Sequence, residues 1–474
     1  MFVGRARELA ALDREFAAVT RGRRLDRGAA VLIRGRRRVG KSRLAAEFVA
    51  RHQVPYVHFQ AARGASLAQE LASFYEAIAA SNLPLADLAR GMSSQSLSTA
   101  LQQLATLLPE DRASVVILDE IPWLLEATSG GAGELQRAWD LHLSRKPVML
   151  LLLGSDLGMM ERLTGPEEPF HGRATEMVLH SLSPSDVAEM TGTHGVDAFD
   201  AHLVTGGQPL VAQEWEPGMT LDDFLADSFS HSTSALLVHG SRILDSEFGE
   251  GSTARQVLRA IGGLGERTFT SIQRGILGPA AVSATLTRTL ALLADKRVTA
   301  ADEPLSTRSA PKDRRYRIAD PALKFWLAFV EPSLLDVDSG RPDVALARVR
   351  TGYTSWRGRV IEPVVRDAVF RLGREDWPDV RAVGGWWPRS NNPEIDLVGA
   401  NTRPAHQIAF VGTVKWRSDK PLSERDLHQL AQDSAAVPGA DPLTDLVGVC
   451  PAGAEPGAAF AKVWTADDLL SAWR

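Results

Sequence analysis

Residues 35–42 read Gly-Arg-Arg-Arg-Val-Gly-Lys-Ser, set between a strand-like run from Ala30 to Arg34 and helical character that begins at Lys41. Few short patterns constrain a fold as tightly. Two glycines at this spacing let the chain curl until successive backbone N–H groups point at one polyphosphate, while the strand and the helix hold the two ends of the curl. The expected contacts to ATP run through Gly35, Arg38, Val39, Gly40, Lys41, Ser42 and Arg43. Lys41 would reach the terminal phosphates and Ser42 would ligate Mg2+.

Binding a nucleotide is not yet cleaving it, and cleavage needs an acidic element. Ser114 to Glu120, SVVILDE, is a continuous apolar run ending in two carboxylates, as expected for a parallel strand buried on both faces. Asp119 would hold the metal through water, and Glu120 would polarise the attacking water. A further apolar run, Pro147 to Leu153, leads into Gly154-Ser155-Asp156, where Ser155 is the better placed polar residue to meet the γ-phosphate or the water. Arg173, after a loop with Pro166 and Pro169, is a candidate to neutralise transition-state charge. Acting in trans, it would require neighbouring subunits.

These pieces occur in a recognisable order: FVGRARELAAL at the N-terminus, GRRRVGKS, VVILDE, the GS of 154–155, HGR at 171–173 and GGQP at 206–209. Together they resemble the archaeal-type ATPases, a branch of the STAND class of AAA+ P-loop proteins, over Phe2 to about Val414. The resemblance implies that Val3, Gly4 and Arg5 lie near the adenine. It also implies that Gly207 and Pro209 sit in a helical lid, although from the residues alone GGQP reads equally as a helix-to-helix turn.

At 474 residues the chain is too long for one core, so three or more domains are expected. One cysteine, Cys450, excludes a disulfide framework and a thiolate zinc cluster and fits a reducing cytoplasm. The charged N-terminus lacks a signal-peptide core, and 147–153 is too short to span a bilayer, so no membrane partner is expected. Charge is unevenly spread. Residues 181–250 carry a net −11 and residues 251–330 a net +7, which places a boundary near 249–252 and a basic surface after it.

Residues 253–330 show three helical stripes, the last through Val282, Leu286, Leu290 and Leu293, followed by a hairpin-like RVTAADEPL…RRYRIAD. Helix, helix, helix, wing is the order of a winged helix. Double-stranded DNA would then meet Arg288 on the third helix and Lys312, Arg314, Arg315 and Arg317 on the wing. The same module can serve protein contact alone. The acidic 181–250 segment could dock on it until nucleotide draws the segment away.

The C-terminal order, a helix opening at 357–362 followed by strands at 394–398 and 408–416, resembles the DUF234 domain of the same ATPase branch, itself similar to PD-(D/E)XK nucleases. By that resemblance Glu362, Asp396 and Lys415 match the metal acids and the lysine, whereas Thr413 stands where a further acid belongs. Loss of one anionic ligand weakens a hard divalent site, so a nuclease-like fold kept for binding or assembly is favoured over a cutting one. Trp386 and Trp387 add nothing decisive.

The expected architecture is α/β and multidomain: a P-loop AAA+ core over 1–180, a helical lid over 181–250, a winged helix-turn-helix over 251–335, and a degenerate restriction-endonuclease-like domain over 345–474. Three functions remain open: an ATP-driven signalling switch, an ATP-gated nuclease, and an interaction scaffold with a homo-oligomer or another protein as partner.

Overall fold

The computed structural model describes residues 2–21, 27–248, 251–276, 282–309 and 311–474, so the charge boundary expected at 249–252 falls partly outside the described residues. The chain divides into two compact units, Met1–Ser181 and Leu182–Arg474.

The first unit is built on five parallel strands: β1 (Ala29–Arg34), β2 (Tyr56–Gln60), β3 (Ser114–Asp119), β4 (Val148–Gly154) and β5 (Ala174–Val178), in the order β2-β3-β4-β1-β5. Side chains alternate across a strand, and here both faces are apolar. Ala30, Leu32, Val116, Leu118, Leu150 and Leu152 join a cluster with Leu71, Phe74, Leu101 and Leu104 on one face. Val31, Ile33, Ile117, Leu151 and Leu153 join Leu12, Phe16, Leu44 and Phe48 on the other. That two-sided burial explains why these strands read as unbroken hydrophobic runs. Because β4 is inserted between β1 and β3, the carboxyl ends of all three lie side by side, where ligands of open parallel sheets bind.

The second unit opens with helices at Pro184–Thr191, Gly195–Thr205, Leu221–Ser230 and Ala235–Glu247. Helices at Thr253–Ile261, Phe269–Arg274 and Ser283–Asp295 follow, with a small antiparallel sheet of β6 (Arg267–Thr268), β7 (Thr299–Asp302) and β8 (Arg315–Ile318), ordered β6-β8-β7. After the helices Pro342–Val360 and Glu362–Leu372 comes a mixed sheet of β9 (Ala382–Trp386), β10 (Ile395–Ala400), β11 (Ile408–Val414), β12 (Asp445–Val449) and β13 (Lys462–Trp464), in the order β13-β12-β11-β10-β9.

The sign change in charge near residue 250 does not coincide with a break in this unit's core. One cluster runs from Val204 and Phe229 through Leu258, Trp326 and Trp356 to Phe410 and Leu469. The acidic and basic stretches meet through apolar packing: Trp326 donates from Nε1 to Leu237 O at 2.8 Å, and a Cβ on Gly240 would stand 2.2 Å from the Trp326 ring. Charge describes the surface of a segment, while the apolar stripe decides what it packs against.

Buried polar groups tie the helices together and make the unit's stability depend on pH. Asp200 accepts from Tyr353 Oη and Arg357 Nη1, each at 2.9 Å, yet burial pushes its carboxyl up to about 6. His202 is also buried, and burial pushes its imidazole down to about 4 against the opposing pull of Asp186 and Asp320. The signs differ. A lowered histidine contributes stability that is present above its ordinary 6.5 and lost as pH falls toward 4, whereas the raised Asp200 loses its contribution as pH rises through about 6. Urea unfolding of His202→Gln beside the parent at pH 7 and pH 4.5 isolates the histidine. The stability gap between the two should shrink by roughly 2 kcal/mol at the lower pH. A gap independent of pH would show that His202 gains its proton in the folded protein as readily as in the unfolded chain.

Candidate nucleotide site

The loop at 35–40 joins β1 to the helix Lys41–His52, and its two glycines do different work. Gly40 adopts φ 97° and Arg38 φ 69°, the left-handed turns that fold the loop back on itself. Gly35 is needed for space, since a Cβ there would stand 2.4 Å from Leu179 O. The helix begins with no side-chain cap, leaving its first backbone N–H groups directed into the loop. Lys41 is buried and donates from Nζ to Gly35 O at 2.8 Å and Arg36 O at 3.2 Å. Burial lowers its pKa, and the nearby Glu120 and Asp119 oppose the shift.

At the end of β3 the two carboxylates take separate partners. Ser42 Oγ donates to Asp119 Oδ2, and the Glu120 amide donates to Asp119 Oδ1 at 2.9 Å. His58 Nε2 on β2 lies 3.5 Å from Asp119 Oδ2. Burial alone would raise the Asp119 carboxyl, but His58, Ser42 and the Glu120 amide together hold it below the usual range. Glu120 sits at φ 51°, a left-handed bend that turns its side chain away from that of Asp119 toward β4. There it accepts from Ser155 Oγ at 2.8 Å and from the Ser155 amide at 3.3 Å, and Arg37 Nε reaches Ser155 Oγ at 3.4 Å. The three adjacent strand ends thus bring Lys41, Ser42, Asp119, Glu120 and Ser155 together.

Chemically this is a loop of backbone donors with a lysine, a hydroxyl–carboxylate pair suited to a hard divalent ion, and a second carboxylate held beside a polar side chain. Two participants escaped sequence reasoning. These are Arg37, one of three arginines in the loop, and His58, on β2. The one available signal for His58 was a polar residue within the run YVHF.

Other expected positions have different surroundings. Arg5, at φ 65° after Gly4 at φ 72°, turns its guanidinium onto Val39 O at 2.9 Å and His180 O at 2.6 Å, so it braces the loop backbone. Val3 is buried in the core, and Arg43 is exposed. Arg173 does not join the cluster of strand ends. Its guanidinium forks onto both oxygens of Asp140 at 2.8 Å and also donates to Pro169 O and His171 O. Gly207 and Pro209 belong to the second unit, where Gly206 and Gly207, at φ 61° and 64°, turn the chain from one helix into the next, which Pro209 opens.

In the second unit the C-terminal acids lie beside an arginine. Asp396 accepts from Thr413 Oγ1 at 3.1 Å and from the Val414 amide at 2.7 Å, while Arg366 donates to Glu362 at 2.8 Å and to Asp396 O at 2.9 Å. Burial raises the Asp396 carboxyl and pushes Glu362 up to about 8. A threonine hydroxyl in place of an acid, and a guanidinium already paired with Glu362, do not suit a divalent ion. Lys415 is exposed on the following residues.

The basic residues expected on a wing are largely engaged. Arg314 pairs with Glu303, and Arg317 donates to Asp302 at 2.6 Å. Arg315 pairs with Glu394, donates to Asn391 Oδ1 at 3.0 Å, and stacks 4.0 Å from the Trp387 ring centre. Arg288 and Lys312 remain exposed.

Comparison with known proteins agrees with this geometry. Residues 1–149 match a family model described as an AAA ATPase domain, and residues 326–430 match DUF234, described as archaea bacterial proteins of unknown function. An uncharacterised protein of Methanocaldococcus jannaschii is 24% identical over 445 residues, covering 91% of each chain. Among solved structures, a Walker-type ATPase of Pyrococcus abyssi is 20% identical with a TM-score of 0.49, covering 69% of this chain and 96% of its own. The Aeropyrum pernix ORC2 protein is 14% identical with a TM-score of 0.43, covering 72% and 95%. Among the described residues no helix is long and apolar enough to cross a membrane. The chain therefore joins an AAA ATPase domain over residues 1–149 to a DUF234 domain over residues 326–430.

Proposed function

We propose that the first unit binds ATP with Mg2+ and hydrolyses it, and that the nucleotide state sets the conformation of the second unit. The observation that carries this reading is the convergence of Lys41, the Ser42–Asp119 pair and the Glu120–Ser155 pair on three neighbouring strand ends. Lys41 and the loop amides would hold the phosphates. Ser42 and Asp119 would hold Mg2+, whose charge offsets that developing on the transferred phosphoryl group. Glu120 would accept a proton as the oxygen of a water attacks the γ-phosphorus and the bond to the β-phosphate breaks, releasing ADP. Ser155, which donates to Glu120, would position that carboxylate. Measurement of ATP turnover in the parent and in the variants discussed below tests this assignment.

For the second unit we favour protein contact as the work of the small sheet. The helix order and the β6-β8-β7 sheet support a winged-helix reading, but the segment after β7 is stitched into the C-terminal sheet region. Leu305 N donates to Gly385 O at 2.9 Å, Thr307 N to Pro438 O at 3.1 Å, and Ala405 N to Ser306 O at 2.9 Å. Leu305 is buried with Trp386, Val398 and Val411. On this reading the wing is a tether, and any contact with double-stranded DNA falls to Arg288 and Lys312. The surroundings of Glu362 and Asp396 give no support to a nuclease.

Arg315→Ala discriminates between a tether and a DNA wing. Removing a largely buried guanidinium from Glu394, Asn391 and Trp387 should cost the second unit about 2 kcal/mol in urea unfolding. Double-stranded DNA affinity, read by fluorescence anisotropy at fixed ionic strength, should change less than about twofold, because no phosphate contact is lost. A large loss of DNA affinity at unchanged stability would restore the wing as a DNA element.

A further inference from the structure

A second site of different chemistry lies wholly within the second unit. A cavity of about 480 Å³ opens between the small sheet, the helix Glu362–Leu372 and the edge strand β9. Four arginines line it: Arg317, Arg366, Arg381 and Arg403. So many guanidinium groups around one small space repel one another unless anions stand among them.

The acids of the lining are each already matched. Asp302 accepts from Arg317, Glu303 from Arg314, and Asp367 from Arg371 at 3.0 Å. Arg366 is held by Glu362 and Asp396 O. Arg381 and Arg403 are exposed and make no side-chain hydrogen bond or ion pair with any described residue, although Arg403, like Arg317 and Arg366, helps hold the buried Asp302 carboxyl down. The cavity therefore carries positive charge that the protein itself does not balance.

Two of these guanidinium groups lie close to glycines of the edge strand. On β9 a Cβ at Gly385 would stand 2.6 Å from Arg366 Nη2, and one at Gly384 would stand 3.0 Å from Arg403 Nη2. The two glycines leave room beside β9 for the tips of these two side chains, and the Gly384 position is also approached by Leu305 Cβ at 3.3 Å. Pro363, Phe370 and Val383 supply an apolar side. A volume of this size suits one small organic molecule, and planar guanidinium forks suit phosphate oxygens.

We propose that this cavity binds a mononucleotide-sized organic phosphate, with its phosphate on Arg381 and Arg403 and its ring against Phe370 and Pro363. Such a ligand touches the small sheet through Arg317, the helix through Arg366 and the mixed sheet through Arg381 and Arg403. It would therefore clamp the three elements together. The site shares no residue with the nucleotide site of the first unit and stands whether or not that site hydrolyses ATP.

The test uses the full chain carrying Lys41→Ala, so that binding at the first unit is removed from the signal. AMP is titrated by isothermal calorimetry into this protein and into the same protein with Arg381→Gln and Arg403→Gln, two exposed positions whose replacement leaves the core intact. The expected result is saturable binding of one AMP per chain, weakened about tenfold for each arginine replaced. A 5′-phosphorylated single-stranded oligonucleotide serves as a second arm. The proposal is overturned if AMP does not bind, if binding is unchanged in the double variant, or if the oligonucleotide binds through these arginines while AMP does not. Arg389→Gln, an exposed arginine outside the lining, should bind AMP as the parent does.

Discussion

Lys41→Ala abolishes measurable ATP binding, with an expected loss of at least about a hundredfold in affinity. The lysine is the one side-chain cation of the loop that is buried, and its Nζ already sits against Gly35 O and Arg36 O, inside the curl made by Arg38 and Gly40. Burial destabilises its charged form, so the ammonium gains more from a polyphosphate than an exposed lysine would. Alanine removes the charge but leaves the loop amides and the uncapped helix end, which should hold inorganic phosphate weakly at best. Lys41→Met retains the apolar stem and should bind as poorly, which separates loss of charge from loss of packing. Titration with a fluorescent ATP analogue reads the affinity, and retention of parent-like affinity in either variant would contradict the assignment.

Glu120→Gln should leave ATP binding within about threefold of the parent while slowing hydrolysis about 10²- to 10³-fold. The amide is close to isosteric and can still pair with Ser155 Oγ, so the loop and the Ser42–Asp119 pair are untouched. What disappears is a carboxylate able to take the proton of the attacking water. Ser155→Ala makes the converse change, leaving the base but removing the hydroxyl that holds it. A drop of about tenfold in turnover at unchanged ATP affinity is expected. If Ser155→Ala instead weakened binding with no effect on turnover, Ser155 would be a phosphate ligand and Glu120 would need another support.

Much of the first site is legible from the chain because each of its parts is local. A glycine-spaced loop between strand and helix, and a strand ending Asp119-Glu120, are short patterns whose geometry follows from backbone sterics and from burial on both faces. Ser155 enters because a third apolar run stops at Gly154, although only the strand order reveals that β4 lies between β1 and β3. Contacts that close over long separations leave no local trace. Arg5 reaches Val39 and His180, and His58 reaches Asp119, through the fold alone.

The second unit shows the same limit more sharply. Counting charge correctly finds a basic stretch, but it cannot tell that Glu303, Glu394 and Asp302 stand opposite Arg314, Arg315 and Arg317. Thr413 can be recognised as a departure from an acidic pattern. The hydroxyl's donation to Asp396 and the approach of Arg366 to Glu362 need the sheet and helix in place. Gly384 and Gly385 look like weak strand residues until the guanidinium groups beside them are seen.

The central claim, that this chain hydrolyses ATP with Lys41 binding and Glu120 acting on water, is tested most directly by a single-turnover assay with protein in excess over radiolabelled ATP and Mg2+. The account predicts conversion of bound ATP to ADP by the parent, bound and intact ATP on Glu120→Gln, and no retained nucleotide on Lys41→Ala. Cleavage at the parent rate by Glu120→Gln, or a parent protein that holds ATP without cleaving it, would contradict it.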